Sequence, residues 1–328
     1  IIANAKHLVA IDRPFTTIVA GNKSANDDIK AIFDEAGKDV VITANVMPQF
    51  NKLNIEPARD AIRQLFISRI IEAKGLNILQ SMTSYKIIPT PLAVLHACEL
   101  LSKGTKTQQG RGDLLAVDIG GATTDVYSMA SGEPTVDNTM LKGLPEPWMK
   151  RTVEGDLGMR YSLTHVYEQI PGSDNPENEY MQQVKAWVEL CTARPDTLAA
   201  PGSEEEKLEE FLGRSAVSMA VERHCGRIAD VFTPLGLVRS QEGKDLMNVP
   251  SVIGIGGVLR NSRRPEEILK GSLYDFMHPE CTKPRKPKFY LDQKYIFASM
   301  GLLRSINPEL AFELLDKETV EIGCNATV

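Results

Sequence analysis

The sequence contains no long apolar run and no excess of positive charge. Its apolar runs all fall short of the roughly 18 to 20 residues that a membrane-spanning helix needs, and its start shows no signal-peptide pattern. Acidic residues outnumber basic residues by 43 to 37, which gives a formal net charge of -6. General attraction to nucleic acid or to an anionic membrane is therefore not expected. We predict a globular protein of the cytoplasm with neither kind of partner.

Cysteine and histidine are scarce and scattered. There are five of each, and their spacing matches neither a disulfide frame nor a zinc site. We expect reduced thiols at all five cysteines, which are Cys98, Cys191, Cys225, Cys281 and Cys324. An anionic ligand would have to be held locally, by backbone amides or by a metal ion.

The 328 residues, 42% of them hydrophobic, are enough for about two domains. Residues 1–50 alternate short apolar, strand-like segments at 7–11, 16–20 and 39–46 with a helical pattern at 26–36. This alternation is typical of an α/β layer. Because the chain opens with Ile1 rather than Met, we expect it to be a fragment.

The most specific stretch is residues 113–126. An apolar run leads to a single carboxylate, Asp118, which opens the segment Asp-Ile-Gly-Gly-Ala-Thr-Thr-Asp, and a second apolar run follows. The pattern predicts a strand, a turn and a second strand. The glycines at 120 and 121 would let backbone N–H groups come close to a phosphate.

A second apolar strand, in residues 249–259, ends in Gly254, Gly256 and Gly257. Alone, such glycines commonly reflect close packing of a helix on a sheet. Together with the first turn, they suggest two related half-domains that face a shared cleft.

The roles of two acidic and three basic residues each have two possible interpretations. Glu154 and Asp156 flank a glycine before a predicted helix, so they would either lie near a metal or substrate or cap that helix. The arginines at 260, 263 and 264 would either meet phosphates or form an exposed basic rim, which is the simpler interpretation.

Helices are predicted elsewhere from apolar spacing and from capping residues. Thr90 and Pro91 should open a helix that ends near Ser102, and Ser203 should cap another. Residues 132–147 are typical of a hairpin and loop, and 283–288 of an exposed linker. The other predicted helices cover 56–75, 180–191, 293–305 and 308–317.

The order of these motifs resembles the superfamily of actin, sugar kinases and heat-shock chaperones. There, a Pro-Thr-x-Ala helix precedes a strand and an Asp-x-Gly-Gly-x-Thr-x-Asp turn; here, Pro89-Thr90-Pro91-Leu92-Ala93 precedes the turn at 118–125. The resemblance implies an α/β, two-lobed actin-like ATPase (ribonuclease H-like) fold with mixed sheets flanked by helices. Residues 1–112 would be the remainder of the N-terminal lobe, including its closing helix. Residues 113–328 would be the C-terminal lobe, with an inserted helical subdomain at about 155–235.

The same resemblance implies a site for ATP and Mg²⁺ between the lobes. Asp118 would hold Mg²⁺ through water, and Asp118 and Asp125 would be the catalytic carboxylates. Glu222, Arg223 and His224 would lie on a helix beside the nucleoside, and Ala122 replaces a third glycine of chaperone relatives. The superfamily's first phosphate loop has no counterpart in residues 1–50. The implied nucleotide contacts are Gly120, Gly121, Ala122, Thr123, Thr124, Glu222, Gly254, Gly256 and Gly257.

A closer similarity is to the MutL or GlmL family of methylaspartate (glutamate) mutase accessory proteins, which share only a name with the mismatch-repair protein. It covers nearly the whole chain. The segments that carry it are Asn45-Val46-Met47-Pro48, Leu144-Pro145-Glu146-Pro147, and residues 151–160, 241–246 and 289–303.

The family resemblance implies an ATP-dependent, chaperone-like reactivating factor whose protein client is an adenosylcobalamin-dependent mutase. ATPase activity is expected if the full-length chain supplies the first phosphate loop. One alternative is a small-molecule kinase of the same fold, with Asp125, Glu154 or Asp156 as its base. The other is a non-hydrolysing module that binds the mutase.

Overall fold

The structure, a computed structural model, describes residues 1–50, 52–73, 82, 87–144, 146–234 and 236–323, without the side chains of 70–73 and 233. Cys324 and Pro145, which the sequence analysis singled out, lie outside the described residues. The chain divides into two compact units, residues 1–89 and 90–328.

In its described residues, the first unit contains two short parallel strands and three α-helices. Strands β1 (Thr17–Val19) and β2 (Val40–Ile42) are in register, with Ile18 opposite Val41. Ala5, Ile29 and Phe33 form a small buried core. The helices are α1 (Ile2–Val9), α2 (Asn26–Glu35) and α3 (Glu56–Ala73).

The prediction of a strand-like segment at 7–11 is wrong, because residues 2–9 are helical. Ala5 is buried, and Leu8 and Val9 pack on the same cluster, so the apolar spacing is that of a helix face. A short apolar run does not distinguish the two structures by itself. The helix predicted at 26–36 and the strand within 39–46 are confirmed.

The second unit is built on a six-stranded mixed sheet. The strand order is β11-β10-β9-β3-β4-β6; β3, β9 and β10 are parallel to one another, and β4, β6 and β11 pair antiparallel to their neighbours. The strands are β3 (Leu114–Ile119), β4 (Thr124–Met129), β6 (Met149–Glu154), β9 (Ser251–Ile255), β10 (Lys288–Asp292) and β11 (Thr319–Ile322).

Helices cover both faces of this sheet. Alternate residues of β3 point to opposite layers, so Leu115 and Val117 belong to one buried cluster and Leu114 and Ala116 to the other. The first layer contains α5 (Leu163–Glu168), α6 (Glu179–Ala193), α7 (Glu204–His224), α8 (Gly257–Asn261) and α9 (Pro265–Leu269). The second contains α4 (Thr90–Lys103), α10 (Phe297–Leu303) and α11 (Pro308–Glu318).

The expectation of two half-domains, one for each glycine turn, is wrong. Strands β3 and β9 are parallel neighbours in one sheet, with Asp118 opposite Ile255. Both turns therefore leave the same edge of the same sheet.

A separate three-stranded sheet has the order β5-β8-β7. Its strands are β5 (Thr139–Lys142), β7 (Arg227–Thr233) and β8 (Gly236–Glu242). Because β5 pairs in parallel with β8, residues 132–147 contribute a strand to a distant partner rather than forming a hairpin of their own.

Local capping signals predicted helix starts well. Helix α4 begins at Thr90, and the Ser203 side chain accepts a hydrogen bond from the Glu206 amide at 3.3 Å, at the start of α7. The Glu206 carboxylate bonds the amide of Gly202, one residue earlier than a capping box requires. The predicted exposed linker at 283–288 is wrong in part, because Lys283, Pro284 and Pro287 are buried and Lys288 begins β10. The Lys283 Nζ donates to the Ser218 hydroxyl at 2.9 Å.

The boundary between the two compact units lies at residues 89 and 90. Helix α4, assigned above to the N-terminal lobe, packs in the second unit against α10. These helices touch so closely that a Cβ added to Gly301 would lie 1.8 Å from the carbonyl oxygen of Ala93.

No helix in the described parts of the chain is long and apolar enough to cross a membrane.

The close crossing of α4 and α10 predicts that Gly301→Ala lowers the free energy of unfolding by about 3 kcal/mol, the upper part of the usual range for overpacking. Alanine is the better helix former, so propensity alone would give the opposite sign. Urea unfolding followed by circular dichroism measures the effect. The matched control is Gly155→Ala, where the added Cβ meets no atom within 4 Å. Equal midpoints for the two variants would contradict the prediction.

Candidate functional site

The residues between β3 and β4, Gly120 to Thr123, form a tight turn that we call the phosphate turn. Strands β3 and β4 pair as predicted up to Ile119 opposite Thr124. The Gly120 amide donates to the Thr123 carbonyl at 2.9 Å, which closes the turn. The predicted strand, turn and strand are thus confirmed.

A second segment lies directly behind the phosphate turn. We call residues 154–162 the brace segment. Its amides at Met159, Arg160 and Tyr161 donate to the carbonyls of Gly120 and Gly121 at 2.8 to 3.0 Å. The Ser162 hydroxyl is 2.9 Å from the Ala122 carbonyl. The carbonyl oxygens of the turn are therefore all bonded, either to the brace segment or within the turn.

The brace segment and the turn are in backbone contact at Gly158. A Cβ at this position would lie 2.2 Å from the carbonyl carbon of Ala122, which leaves no room for any other residue. The Thr124 hydroxyl adds a hydrogen bond to the Leu157 carbonyl. The brace is thus fixed to both the turn and the strand that follows it.

Three backbone amides of the phosphate turn, unlike its carbonyl oxygens, have no hydrogen-bond partner in the described residues. Within the described residues, no hydrogen-bond acceptor is found for the N–H groups of Gly121, Ala122 and Thr123. These residues are exposed or half-buried. Three successive unpaired N–H groups in an accessible turn are a suitable binding site for an anion.

The second glycine turn meets Asp118. Gly256 has a φ of +98°, and a Cβ on it would lie 2.6 Å from Oδ1 of Asp118 and 2.5 Å from the Ile119 carbonyl oxygen. Glycine is required here by both backbone conformation and space. The structure therefore brings the carboxylate of the first turn and the backbone of the second into contact.

The other two glycines of the second turn have different roles. A Cβ on Gly254 would lie 3.0 Å from Leu259, so this glycine allows the following helices to pack on the sheet. Gly257 is the first residue of α8, and a Cβ on it would make an ordinary contact of 3.9 Å with Asn261 Nδ2. The packing interpretation therefore explains Gly254, whereas Gly256 and Gly257 lie beside the candidate site.

Acidic side chains crowd Asp118. Its pKa is raised to about 6, mainly by burial and also by the neighbouring carboxylates of Asp125 and Asp292, while Arg151 opposes the rise. Asp125 lies opposite Asp118 in the sheet and pairs with Arg151 at 2.7 Å. Within the described residues, no hydrogen bond to the Asp118 carboxylate is found.

Asp292 was not predicted. It is buried at the end of β10, where its carboxylate accepts hydrogen bonds from the amides of Ile296 and Phe297 at 3.0 and 3.1 Å. Burial raises its pKa, and those bonds oppose the rise. The signal in the sequence was a carboxylate that directly follows an apolar strand, the same feature that identified Asp118.

In the described parts of the chain, no three acidic, histidine or cysteine side chains converge as a metal site.

The acidic pair in the brace segment is held by an arginine. Arg223 Nη1 lies 2.7 Å from both Glu154 and Asp156, and its Nη2 donates to the second Asp156 oxygen at 2.9 Å. Hydrogen bonding to Arg223 is the main reason that the pKa of Asp156 falls to about 2. Neither carboxylate caps α5, which has no side-chain cap.

The neighbours of Arg223 on α7 do not contact the phosphate turn. Glu222 pairs with Arg227 at 2.7 Å. His224 is fully buried between the hydroxyls of Ser128 and Thr152, at 2.8 and 2.9 Å, and burial lowers its pKa well below the ordinary value. This histidine joins α7 to the sheet. The implied place of Glu222 beside a nucleoside stays a prediction.

A cavity of about 820 Å³ opens beside α8 and is lined in part by Arg260, Arg263, Lys270 and Lys294. It is lined by two of the three arginines considered as phosphate contacts, Arg260 and Arg263, but by none of the implied nucleotide contacts. Arg260 donates to the Gln293 carbonyl at 3.1 Å, and Arg264 pairs with Glu210, so neither guanidinium is free of protein partners.

These features define a mixed α/β protein whose candidate ligand site lies where two neighbouring parallel strands end in glycine turns. A family model described as MutL protein matches residues 1–319, and the chain belongs to this family. It is 45% identical over 324 residues to Protein MutL of Clostridium tetanomorphum, across 98% of this chain and 70% of that protein. The similarity to the MutL family is confirmed.

The crowding around Asp118 predicts that Asp118→Asn raises the melting temperature at pH 7.5 but not near pH 4. Folding raises the pKa of Asp118 from 3.8 to about 6. The wild-type protein therefore loses stability as pH rises from about 4 to 6, by up to about 3 kcal/mol, and the amide avoids this loss. Differential scanning calorimetry at the two pH values measures it.

The control for this experiment is Asp137→Asn, which removes the charge of an exposed carboxylate. It should change the melting temperature little at either pH. A stabilisation by Asp118→Asn that is equal at pH 4 and pH 7.5, or absent at both, would contradict the assignment of a raised pKa.

Proposed function

We propose that this protein binds ATP with Mg²⁺ and acts as a chaperone-like accessory factor of an adenosylcobalamin-dependent mutase of the glutamate mutase type. The observation that carries the nucleotide part is the row of three unpaired amides at Gly121, Ala122 and Thr123. The carbonyls of the turn are bonded by the brace segment or, for Thr123, by the Gly120 amide, so the backbone of the turn offers donors to a ligand. Arrays of backbone N–H groups of this kind bind phosphate oxygens.

The Asp118 carboxylate fits a role with Mg²⁺. It is partly buried, lacks a hydrogen-bond donor among the described residues, and lies beside other carboxylates that raise its pKa. A cation would relieve this repulsion. Because Mg²⁺ keeps several waters and uses few protein carboxylates, a single aspartate acting through water is sufficient. A bound Mg²⁺ would supply electrostatic stabilisation of phosphoryl transfer.

The residues of the chain would then have distinct tasks. The amides of the phosphate turn would hold and orient phosphate oxygens, which costs no reorganisation because the brace segment already fixes them. Asp118 would orient the waters of the ion. Gly256 would let the second turn approach without displacing that carboxylate.

Family membership supports the accessory role. The match to the MutL model spans nearly the whole chain, as does the alignment with the relative from Clostridium tetanomorphum. The segments quoted above resemble accessory proteins of methylaspartate (glutamate) mutase. We infer that nucleotide turnover changes the affinity of the protein for its mutase client, as in other proteins where hydrolysis switches a conformation.

The contacts do not favour a small-molecule kinase. Each of the three candidate bases is engaged by an arginine: Asp125 by Arg151, and Glu154 and Asp156 by Arg223. The pKa of Asp156 is near 2, too low for an effective base at neutral pH.

Replacement of the acid beside the turn tests the proposal. Asp118→Asn in the full-length protein should lower ATP turnover by about 100-fold or more, because the oriented charge at the metal is lost. Phosphate release measures turnover, and circular dichroism checks the fold. The control Asp137→Asn should retain wild-type turnover.

Near-normal turnover in Asp118→Asn would contradict the role of this carboxylate. No turnover in the wild-type full-length protein, together with client binding that does not depend on nucleotide, would favour the non-hydrolysing binding module instead. Phosphate found on a metabolite rather than in water would favour a kinase.

A further inference from the structure

The brace segment is itself attached to α7 at two points. Near its start, Asp156 accepts two hydrogen bonds from Arg223, at 2.7 and 2.9 Å. Near its end, Arg160 Nη2 donates to Glu209 at 2.5 Å and to the Thr197 carbonyl at 3.1 Å. Arg223 and Glu209 stand near opposite ends of the same helix. We call these two ion pairs the arginine clamps.

Helix α7 is a suitable rigid support for the clamps. Its inner face is buried in the core of the second unit, with Leu212, Ala216 and Val217 fully covered. His224 fixes its end to the sheet through two hydroxyls. A clamp between α7 and the brace therefore ties the brace to the sheet that carries the phosphate turn.

The clamps fix the position of the brace backbone; they do not hold a group that would react. Asp156 and Arg160 belong to the segment whose amides and hydroxyl bond the carbonyls of Gly120, Gly121 and Ala122. In the described residues, the clamp side chains make no hydrogen bond to the amides of Gly121, Ala122 and Thr123. Their effect on a ligand would pass through the brace to the orientation of the turn.

We propose that the arginine clamps are positioning devices that set the affinity of the phosphate turn for polyphosphate. This inference rests on the proposed function, because it assumes that the turn binds the phosphates of a nucleotide. Releasing the brace would remove the hydrogen bonds that fix the turn, so its three free N–H groups would be held less firmly in place for phosphate oxygens. The nucleoside end of a ligand makes no use of the brace.

The test compares ATP with adenosine on the full-length protein in the presence of Mg²⁺. Arg223→Gln and Asp156→Asn should each weaken ATP binding by about 10-fold, the lower end of the range for loss of a supporting contact behind a binding group. For Asp156→Asn, which leaves every side chain of α7 in place, adenosine affinity should change less than about 2-fold. Isothermal titration calorimetry measures both ligands.

Two further variants sharpen the comparison. Arg223→Lys keeps the charge but loses the fork geometry, so it should recover part of the ATP affinity. Arg239→Gln removes an arginine from an exposed ion pair with Asp230 in the three-stranded sheet and should bind ATP as the wild type does. If Arg223→Gln fails to fold, Asp156→Asn provides the same comparison, since the Asp156 side chain is 39% exposed.

Each outcome has a distinct meaning. A loss of affinity for ATP but not for adenosine supports the positioning role of the clamps. Equal losses for ATP and adenosine would indicate a general structural effect and overturn the inference. Unchanged ATP affinity in both variants would overturn it while leaving the proposed function intact. A wild-type protein that binds no ATP would overturn both.

Discussion

The hydrogen bonding of the phosphate turn is one-sided, and the candidate site depends on it. Every carbonyl oxygen from Gly120 to Thr123 accepts a bond, whereas three successive amides have no acceptor within the described residues. A tight turn normally uses its own amides to close itself. Here the Gly120 amide closes the turn on the Thr123 carbonyl and the brace segment satisfies the other three carbonyls, while the N–H groups of Gly121, Ala122 and Thr123 remain available to a ligand. The required closeness explains why Gly158 has no space for a side chain.

Negatively charged side chains lie close together beside this turn, which is electrostatically unfavourable. The carboxylates of Asp125 and Asp292 both raise the pKa of Asp118, and among the described residues Arg151 opposes that rise. Like charges opposite each other on neighbouring strands destabilise a sheet. Groups with pKa values displaced by burial and by like charges are common at functional sites. The protein therefore retains an electrostatic cost where a cation would be stabilising.

The parts of the fold that the sequence predicted are local. The hairpin around Gly120 follows from two apolar runs and two glycines, and the starts of α4 and α7 follow from Thr90 with Pro91 and from Ser203. The parts it missed depend on distant partners. Nothing near Glu154 or Asp156 indicated an arginine 67 residues from Asp156, and the pairing of β3 with β9 joins segments far apart in the chain.

Two errors show the limits of apolar patterns. Residues 7–11 contain too few apolar positions to distinguish a strand from a helix, and packing against Ile29 and Phe33 decides for the helix. Two similar glycine turns suggested two half-domains. However, parallel strands of one sheet end at the same edge, so two such strands in a single sheet give the same pair of strand-to-glycine turns. Asp292 became visible as a site residue only once β10 was placed beside β9.

The central claim is that the amides of Gly121, Ala122 and Thr123 bind phosphate. Hydrogen–deuterium exchange of these amides in the full-length protein tests it directly, with Mg²⁺ and either ATP or adenosine. The account predicts fast exchange in the free protein, slower exchange with ATP and no change with adenosine. Exchange at these three amides that stays fast while ATP is bound would contradict it.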